Sequence, residues 1–283
     1  MPSPLVLTEI DATRNWVREQ QHGGRSVGFV PTMGALHEGH LSLAVAAKTE
    51  CDIVIASIFV NPTQFAPGED YERYPRDLAA DARMLAGAGV SAVFAPSVEA
   101  MYPDGTETTI DVGPVAHPLE GKSRPTHFAG VATIVAKLLA IAPADRVYFG
   151  QKDYQQTVVI RRMVADLNLP TEVIVCPVIR EPDGLAMSSR NAYLSADERH
   201  RAIALSQGLG EAKRLHASGE RRTAAILDAV RARVELTPGV EIEYIAAMPD
   251  GSIDQPEEVT GPTVVAVAAR VGETRLIDNV LLP

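Results

Sequence analysis

Five short runs rich in β-branched and apolar residues, each separated from the next by a longer stretch, restrict this chain to few architectures. The runs cover residues 27–30, 53–60, 90–95, 146–149 and 173–179. Near-continuous apolar character suits strands covered on both faces, where alternation with polar residues is not needed. The stretches near 39–50, 76–88, 130–142 and 153–167 read as helices. Strands alternating with helices imply βαβ units, hence an α/β fold with a Rossmann-like, doubly wound parallel sheet. Right-handed crossovers place the loops and helix N-termini that follow each strand at one sheet edge, where ligands of such folds bind. A further helix is expected over residues 8–22, capped by Thr8 with Asp11 in capping-box spacing and stopped by Gly23 and Gly24.

The pattern changes after Arg180. Glu181-Pro182-Asp183-Gly184 is turn chemistry, and beyond it two helices (195–217 and 220–236) precede the apolar runs VEIEYIAAM, TVVAVAARV and TRLIDNVLL. This predicts a smaller α+β domain over 183–283 after a Rossmann-like domain over 1–182. The formal net charge of −10 disfavours a nucleic-acid partner, which needs a basic footprint. The first 16 residues have no basic stretch followed by an apolar core, and no apolar run reaches the ~20 residues of a membrane span. The two cysteines, Cys51 and Cys176, lie at or within apolar runs and read as small buried hydrophobes. A reducing cytoplasm is the consistent location, with no membrane partner.

The densest chemical signal is Val30-Pro31-Thr32-Met33-Gly34-Ala35-Leu36-His37-Glu38-Gly39-His40, where the first sheet strand hands over to a helix. Gly34 and Gly39 remove side chains where backbone would approach a ligand, and the helix N-terminus offers N–H groups and a positive dipole end to an anion. His37 and His40, three apart, share a face on the first turn and can donate hydrogen bonds to phosphate oxygens. A structural histidine pair fits the same spacing. A zinc site lacks the H-E-x-x-H spacing and a nearby third ligand, and a dinucleotide fold lacks G-x-G-x-x-G.

The His37-x-Gly39-His40 pattern resembles the nucleotide signature of the adenylyl-transferring superfamily that includes class I aminoacyl-tRNA synthetases. Its second signature, of the Lys-Met-Ser-Lys-Ser kind, has a counterpart in Met187-Ser188-Ser189-Arg190-Asn191, with Arg190 as the cation. Further blocks resemble the pantothenate synthetase family, in that family's order. They are Phe59-Val60-Asn61-Pro62-Thr63-Gln64-Phe65, Tyr74-Pro75-Arg76, Gly121-Lys122-Ser123-Arg124-Pro125-Thr126-His127-Phe128-Ala129-Gly130, Phe149-Gly150-Gln151-Lys152-Asp153-Tyr154-Gln155-Gln156, and the closing Thr274-Arg275-Leu276-Ile277-Asp278-Asn279. Thr126 departs from an expected glycine and Gln151 from a common glutamate; neither removes a charge donor.

The resemblance implies ATP-dependent condensation of pantoate with β-alanine through a pantoyl-adenylate, with Mg2+ accompanying ATP and a homodimer joined through the N-terminal domain. It implies catalytic roles for His37, His40, Lys152 and Arg190. ATP would lie against Met33, Gly34, Ala35, Leu36, His37, Glu38, Gly39, His40, Gly150, Gln151, Lys152, Asp153, Ile179, Met187, Ser188, Ser189 and Arg190. Gln64 and Gln156, with neutral amides suited to hydroxyls and a carboxylate, join Asn61, Arg124 and His127 around substrate. Arg124 and His127 are expected in a mobile Gly/Pro-rich loop with their cations toward ligand.

By residue chemistry alone, Lys152 is also a plausible surface lysine, and Ser188 and Ser189 a turn or helix cap. Asp81 fits either a magnesium environment or an exposed helix carboxylate. Rival functions are another nucleotidyltransferase with the same histidine motif, a cofactor-binding oxidoreductase, and a non-catalytic binding module on this fold.

Overall fold

The computed structural model describes residues 3–66 and 68–283. The chain divides into two compact units, Met1–Gly150 with Gln155–Cys176, and Gln151–Tyr154 with Pro177–Pro283.

The first unit is a six-stranded, all-parallel sheet of β1 (Leu5–Leu7), β2 (Val27–Thr32), β3 (Ile53–Ile58), β4 (Ala92–Phe94), β5 (Arg146–Gly150) and β6 (Glu172–Cys176), in the order β1-β4-β3-β2-β5-β6. Its helices are α1 (Ile10–His22), α2 (Glu38–Glu50), α3 (Leu78–Gly87), α4 (Val98–Met101), α5 (Glu120–Ser123), α6 (His127–Ile141) and α7 (Tyr154–Asp166), whose first residue belongs to the second unit.

Period-2 side-chain alternation builds a core on each face of the sheet. Phe29, Ile55, Val147 and Phe149 pack with Val17 of α1, Leu138 of α6 and Ile160 of α7. Val30, Val54, Ala56 and Tyr148 pack with Leu43 and Ala47 of α2 and Leu85 of α3. The doubly wound sheet expected from the apolar runs is therefore present. Strand order reverses at β2, which pairs with β3 on one side and β5 on the other. This switch point is the ligand-binding position of open α/β sheets.

The three-residue edge strand β1 escaped the sequence reading, because Leu5–Leu7 is too short to show a period. Thr8 does not cap α1: the N-cap residue is Glu9, whose side chain makes no capping bond, while Thr8 Oγ1 donates to Glu9 Oε1 at 3.4 Å. The segment around Arg124 and His127, expected as a mobile loop, is instead the junction of two helices. Arg124 closes the short α5, and His127 opens the 15-residue α6.

The second unit packs α8 (Ala196–Ala217) and α9 (Thr223–Glu235) on an antiparallel sheet β7-β8-β9, formed by Val240–Pro249, Thr263–Val271 and Thr274–Leu282. Leu205 and Leu209 of α8, Val230 of α9, and Val265 and Val267 of β8 form its core. The turn at 181–184 is present, with Gly184 at φ 94° and its N–H donating to Glu181 O at 2.8 Å. It lies within this unit, as does residue 182, the expected domain limit. Among the described residues, no helix is long and apolar enough to cross a membrane. Both cysteines are free and buried.

One contact in the first unit ties the fold to the candidate site. A Cβ on Gly130 of α6 would stand 2.3 Å from Thr63 O and 3.0 Å from Gln64 N, so only glycine lets α6 touch the turn Pro62–Gln64. Gly130→Ala is expected to lose about 1–3 kcal/mol of stability in urea unfolding, as overpacked sites do. It should also displace Gln64, seen as a raised KM for the ligand that Gln64 contacts.

Candidate functional site

The segment after β2 makes an abrupt turn before α2. Gly34 and Ala35 both have positive φ, at 83° and 50°. Ala35 takes the left-handed conformation with a side chain in place, at a cost of roughly 1–2 kcal/mol. The turn is held by Asp81 of α3, whose Oδ2 accepts from Ala35 N at 3.1 Å and Oδ1 from Leu36 N at 2.9 Å. Asp81 is 4% exposed. A Cβ on Gly34 would lie 2.9 Å from Asp81 Oδ2, so glycine is required there by the clamp itself. Asp81 is thus not an exposed helix carboxylate, and both its oxygens already serve the turn. Among the described residues, no group of three or more His, Cys, Asp or Glu side chains is arranged to hold a metal.

The backbone N–H groups expected to face an anion are engaged internally. Gly34 N donates to Thr32 Oγ1 at 3.2 Å, and the amides of Ala35 and Leu36 donate to Asp81. His37 is the N-cap of α2, and its Nδ1 accepts from Gly39 N at 3.1 Å. His40 Nδ1 accepts from His37 N at 3.4 Å, which completes a reciprocal capping box. A ring nitrogen that accepts carries no proton, so these partners assign the N–H of each imidazole to Nε2. The rings lie side by side, centroids 4.1 Å apart. The Nε2–H groups of the two imidazoles are candidate donors to an anion in this segment. Leu36 points into the core beneath the loop, Met33 is half-buried and Glu38 is exposed.

A second cluster in the same unit surrounds Gln64. Asn61 is 1% exposed and has filled its hydrogen-bonding capacity. Its Nδ2 donates to Gln64 Oε1 (2.9 Å) and Gly130 O (3.3 Å), and its Oδ1 accepts from Tyr102 (2.8 Å) and Thr63 (3.1 Å). Asn61 consequently orients Gln64, whose carbonyl oxygen is engaged and whose NH2 is the group left to donate outward. Arg124 does not direct a bare cation to ligand. Its guanidinium forms a two-pronged pair with Glu69 at 2.6 and 2.7 Å and donates to Gln64 O at 3.1 Å.

His127 Nδ1 lies 2.9 Å from the same Gln64 carbonyl. A carbonyl only accepts, so Nδ1 carries the proton and Nε2 is an acceptor, the reverse of His37 and His40. Burial, assisted by the charge of Arg124, lowers the His127 pKa to about 4, so the expected cation is neutral. Gln156 is half-buried near the start of α7. A cleft of about 280 Å³ also opens in this unit, lined by Met33, Gly34, Asp81, Ile58, Phe59 and Val98 among others; none of the histidines or glutamines named above lines it.

The remaining predicted residues, apart from Gly150 at the end of β5, belong to the second unit. Gln151–Asp153 form a 3-10 turn, with Lys152 Nζ 3.3 Å from Asp153 Oδ2. Asn279 of β9 reaches this turn: its Nδ2 donates to the carbonyls of Gln151 and Lys152, each at 2.8 Å. Ser188 caps the 3-10 turn Ser189–Tyr193, its Oγ accepting from Arg190 N at 3.3 Å. Met187 N donates to Ile179 O at 3.0 Å, closing the hairpin that carries this segment. Asn191 and Arg199 converge on Glu181, with contacts of 2.8 and 2.6 Å, and secure the hairpin from the other side. Glu69, Glu181, Arg199 and Asn279 escaped the sequence reading as site residues. Asn279 stood in a quoted block and Glu181 in the quoted turn, but the partners of all four are distant enough in sequence to leave no local pattern.

A model of the pantoate-β-alanine ligase family matches residues 5–281. The chain belongs to this family. It is 55% identical to the pantothenate synthetase of Acidobacterium capsulatum over 260 residues (92% of this chain, 87% of the relative). It is 51% identical to that of Moorella thermoacetica over 277 residues, 98% of each chain. The crystal structure of pantothenate synthetase from Thermus thermophilus superposes with a TM-score of 0.92 at 44% identity, covering 98% of both chains. The Francisella tularensis pantoate-β-alanine ligase, solved with β-γ ATP and β-alanine, gives 0.80 at 36% identity, covering 99% of this chain and 98% of that one.

The tautomer and depressed pKa of His127 carry a pH consequence. Between pH 6.5 and about 4 the unfolded chain protonates this imidazole while the folded chain does not. Unfolding then takes up a proton, so the stabilising contribution is complete above pH 6.5 and declines as pH falls toward 4. Chemical denaturation across pH 4–7 should show this decline, with a shallower slope in His127→Gln; equal slopes would contradict a neutral buried imidazole.

Proposed function

We propose that the chain condenses pantoate with β-alanine at the cost of ATP, in two steps. The pantoate carboxylate attacks the α-phosphorus of ATP, forming pantoyl-adenylate as the bond to pyrophosphate breaks. The β-alanine amine then attacks the acyl carbon and AMP leaves. A free carboxylate is a poor electrophile at neutral pH; conversion to a mixed anhydride supplies a good leaving group. No enzyme nucleophile is needed, so the protein contributes positioning and stabilisation of shifting charge.

The observation that carries this reading is the histidine pair. Two Nε2–H donors stand side by side on a clamped turn at the switch point of the sheet, with their Nδ1 atoms locked as acceptors. Such donors suit phosphate oxygens, and the β-γ ATP in the Francisella relative supports the nucleotide as their ligand. His37, nearest the glycine turn, serves the reacting end, and His40 steadies phosphate or ribose oxygens. Lys152 and Arg190 supply the cations, with Ser188 and Ser189 as hydroxyl donors. Gln64 and Gln156 hold pantoate, and the His127 Nε2 lone pair accepts from one of its hydroxyls. We place Mg2+ with the incoming nucleotide, because this ion keeps several waters and takes phosphate oxygens. The family likeness further supports a cytoplasmic homodimer; light scattering of the purified protein checks the latter.

The decisive assay is turnover: ATP, pantoate and β-alanine consumed, AMP, pyrophosphate and pantothenate formed. Absence of pantoate-dependent ATP–pyrophosphate exchange would favour a different nucleotidyl transfer. Lys152→Ala is expected to fold and to lose on the order of 10²–10³ in the rate of adenylate formation. For the histidines, His37→Asn is the sharper variant, since Asn is a good N-cap but brings no Nε2–H donor. Melting temperature should barely change while adenylation collapses. Given preformed pantoyl-adenylate and β-alanine, the same variant should retain most of its amide-forming activity. An equal fall in both half-reactions would assign His37 to the organisation of the whole pocket.

A further inference from the structure

Residues 151–154 belong to the second unit, although the strand before them and the helix after them belong to the first. Two tethers account for this. At one end Asn279, 2% exposed, donates from Nδ2 to both Gln151 O and Lys152 O, each at 2.8 Å. Two carbonyls can only accept, which fixes the orientation of the amide and directs its Oδ1 to Gln151 Nε2 at 3.0 Å. At the other end Tyr154 OH donates to Pro249 O at 2.9 Å and accepts from Gly251 N at 2.9 Å.

Asn279 is itself fixed from β9, an edge strand of its sheet. Arg180 grips the adjacent Asp278 through both guanidinium nitrogens, at 2.6 and 2.9 Å, and donates to Asn279 O at 3.1 Å. Asp278 Oδ1 also accepts from Asn279 N at 2.7 Å. Arg180 reaches on to Gly184 O at 3.0 Å and pairs with Ala186 in the hairpin that ends at Met187. A continuous set of hydrogen bonds thus runs from the Lys152 backbone through Asn279, Asp278 and Arg180 to the segment bearing Ser188, Ser189 and Arg190.

We infer that Asn279 is a positioning residue for Lys152, and that Lys152 and residues 187–190 are held on one common frame as a single phosphate-binding element. This rests on the reading of Lys152 as a phosphate ligand. Asn279 touches no substrate in this scheme. Its two N–H groups set the path of the Lys152 backbone and hence where the ammonium can reach. Aspartate, of the same size, would oppose a carboxylate to two carbonyl oxygens; alanine would leave both carbonyls without this donor.

The test is a double-mutant cycle on ATP affinity, measured by titration calorimetry on the full-length enzyme with Lys152→Ala, Asn279→Ala and the pair. If Asn279 acts through Lys152, Asn279→Ala weakens ATP about tenfold in the parent and less than about twofold in the Lys152→Ala background. Pantoate affinity should be unchanged throughout, and Asn279→Asp should weaken ATP at least as much as Asn279→Ala. Should Asn279→Ala not fold, Asn279→Ser keeps a short hydroxyl donor at the same place, and the same loss of effect in the Lys152→Ala background is expected. An equal factor in both backgrounds overturns the inference, as does an unchanged ATP affinity in Asn279→Ala when Lys152→Ala is impaired. Parent-like ATP affinity in Lys152→Ala overturns the phosphate reading itself.

Discussion

The carboxylate of Asp81 is the interaction on which the histidine loop depends. Without it, a chain leaving β2 would have to keep Ala35 in a left-handed conformation and leave two amides beneath the loop without acceptors. Each unmet buried donor costs roughly 1–3 kcal/mol. One side chain on α3 meets both and fixes the entry angle of α2. The histidines inherit their direction from that entry. His37 caps the helix because the turn delivers it in extended geometry, at φ −140°, and His40 follows one turn later.

The second unit solves a similar problem with a different group. There the segment to be held offers carbonyls rather than amides, so the clamp is a donor, Asn279, instead of an acceptor. Asp81 and Asn279 are both nearly inaccessible, both come from chain remote from the loop they hold, and both engage backbone. The first fixes the turn that carries the two imidazoles; the second holds the backbone of a lysine. Loops built this way keep functional side chains available, because buried neighbours meet the backbone's hydrogen-bonding needs.

The sheet and its helices were legible in the sequence because parallel strands covered on both faces leave unbroken apolar runs, as in FVP before the histidine loop and IVIAS in β3. The segment carrying His37 and His40 was legible for a related reason: a strand-to-helix handover with two glycines is a local signature. Their distinct hydrogen-bond partners were not. That Gly39 N would engage an imidazole, and so not remain available to an anion, depends on the rotamer of His37. The neutral state of His127 and the pairing of Arg124 were hidden because Glu69 lies 55 residues from Arg124, on a segment with no periodicity. Asn61 illustrates the general difficulty. A polar residue beside a candidate ligand-binding glutamine looks like a second contact, and only the count of four filled hydrogen bonds shows that it acts through Gln64.

Charge is distributed unevenly between the two units. The candidate donors of the first are neutral: two imidazole Nε2–H groups and the Gln64 amide. Its nearby cation, Arg124, is matched by Glu69, and His127 is uncharged. The cations assigned to the triphosphate, Lys152 and Arg190, both belong to the second unit. In a chain of net charge −10, this limits where a polyanion finds positive charge. Neutral donors fixed by backbone bonds select geometry, since a hydrogen bond fails within a few tenths of an ångström and tens of degrees. Cations on flexible stems attract over longer range and tolerate displacement. The proposed adenylation would draw on both kinds of contact: long-range attraction to bring a triphosphate in, and directional donors to hold the α-phosphorus in line with an incoming carboxylate.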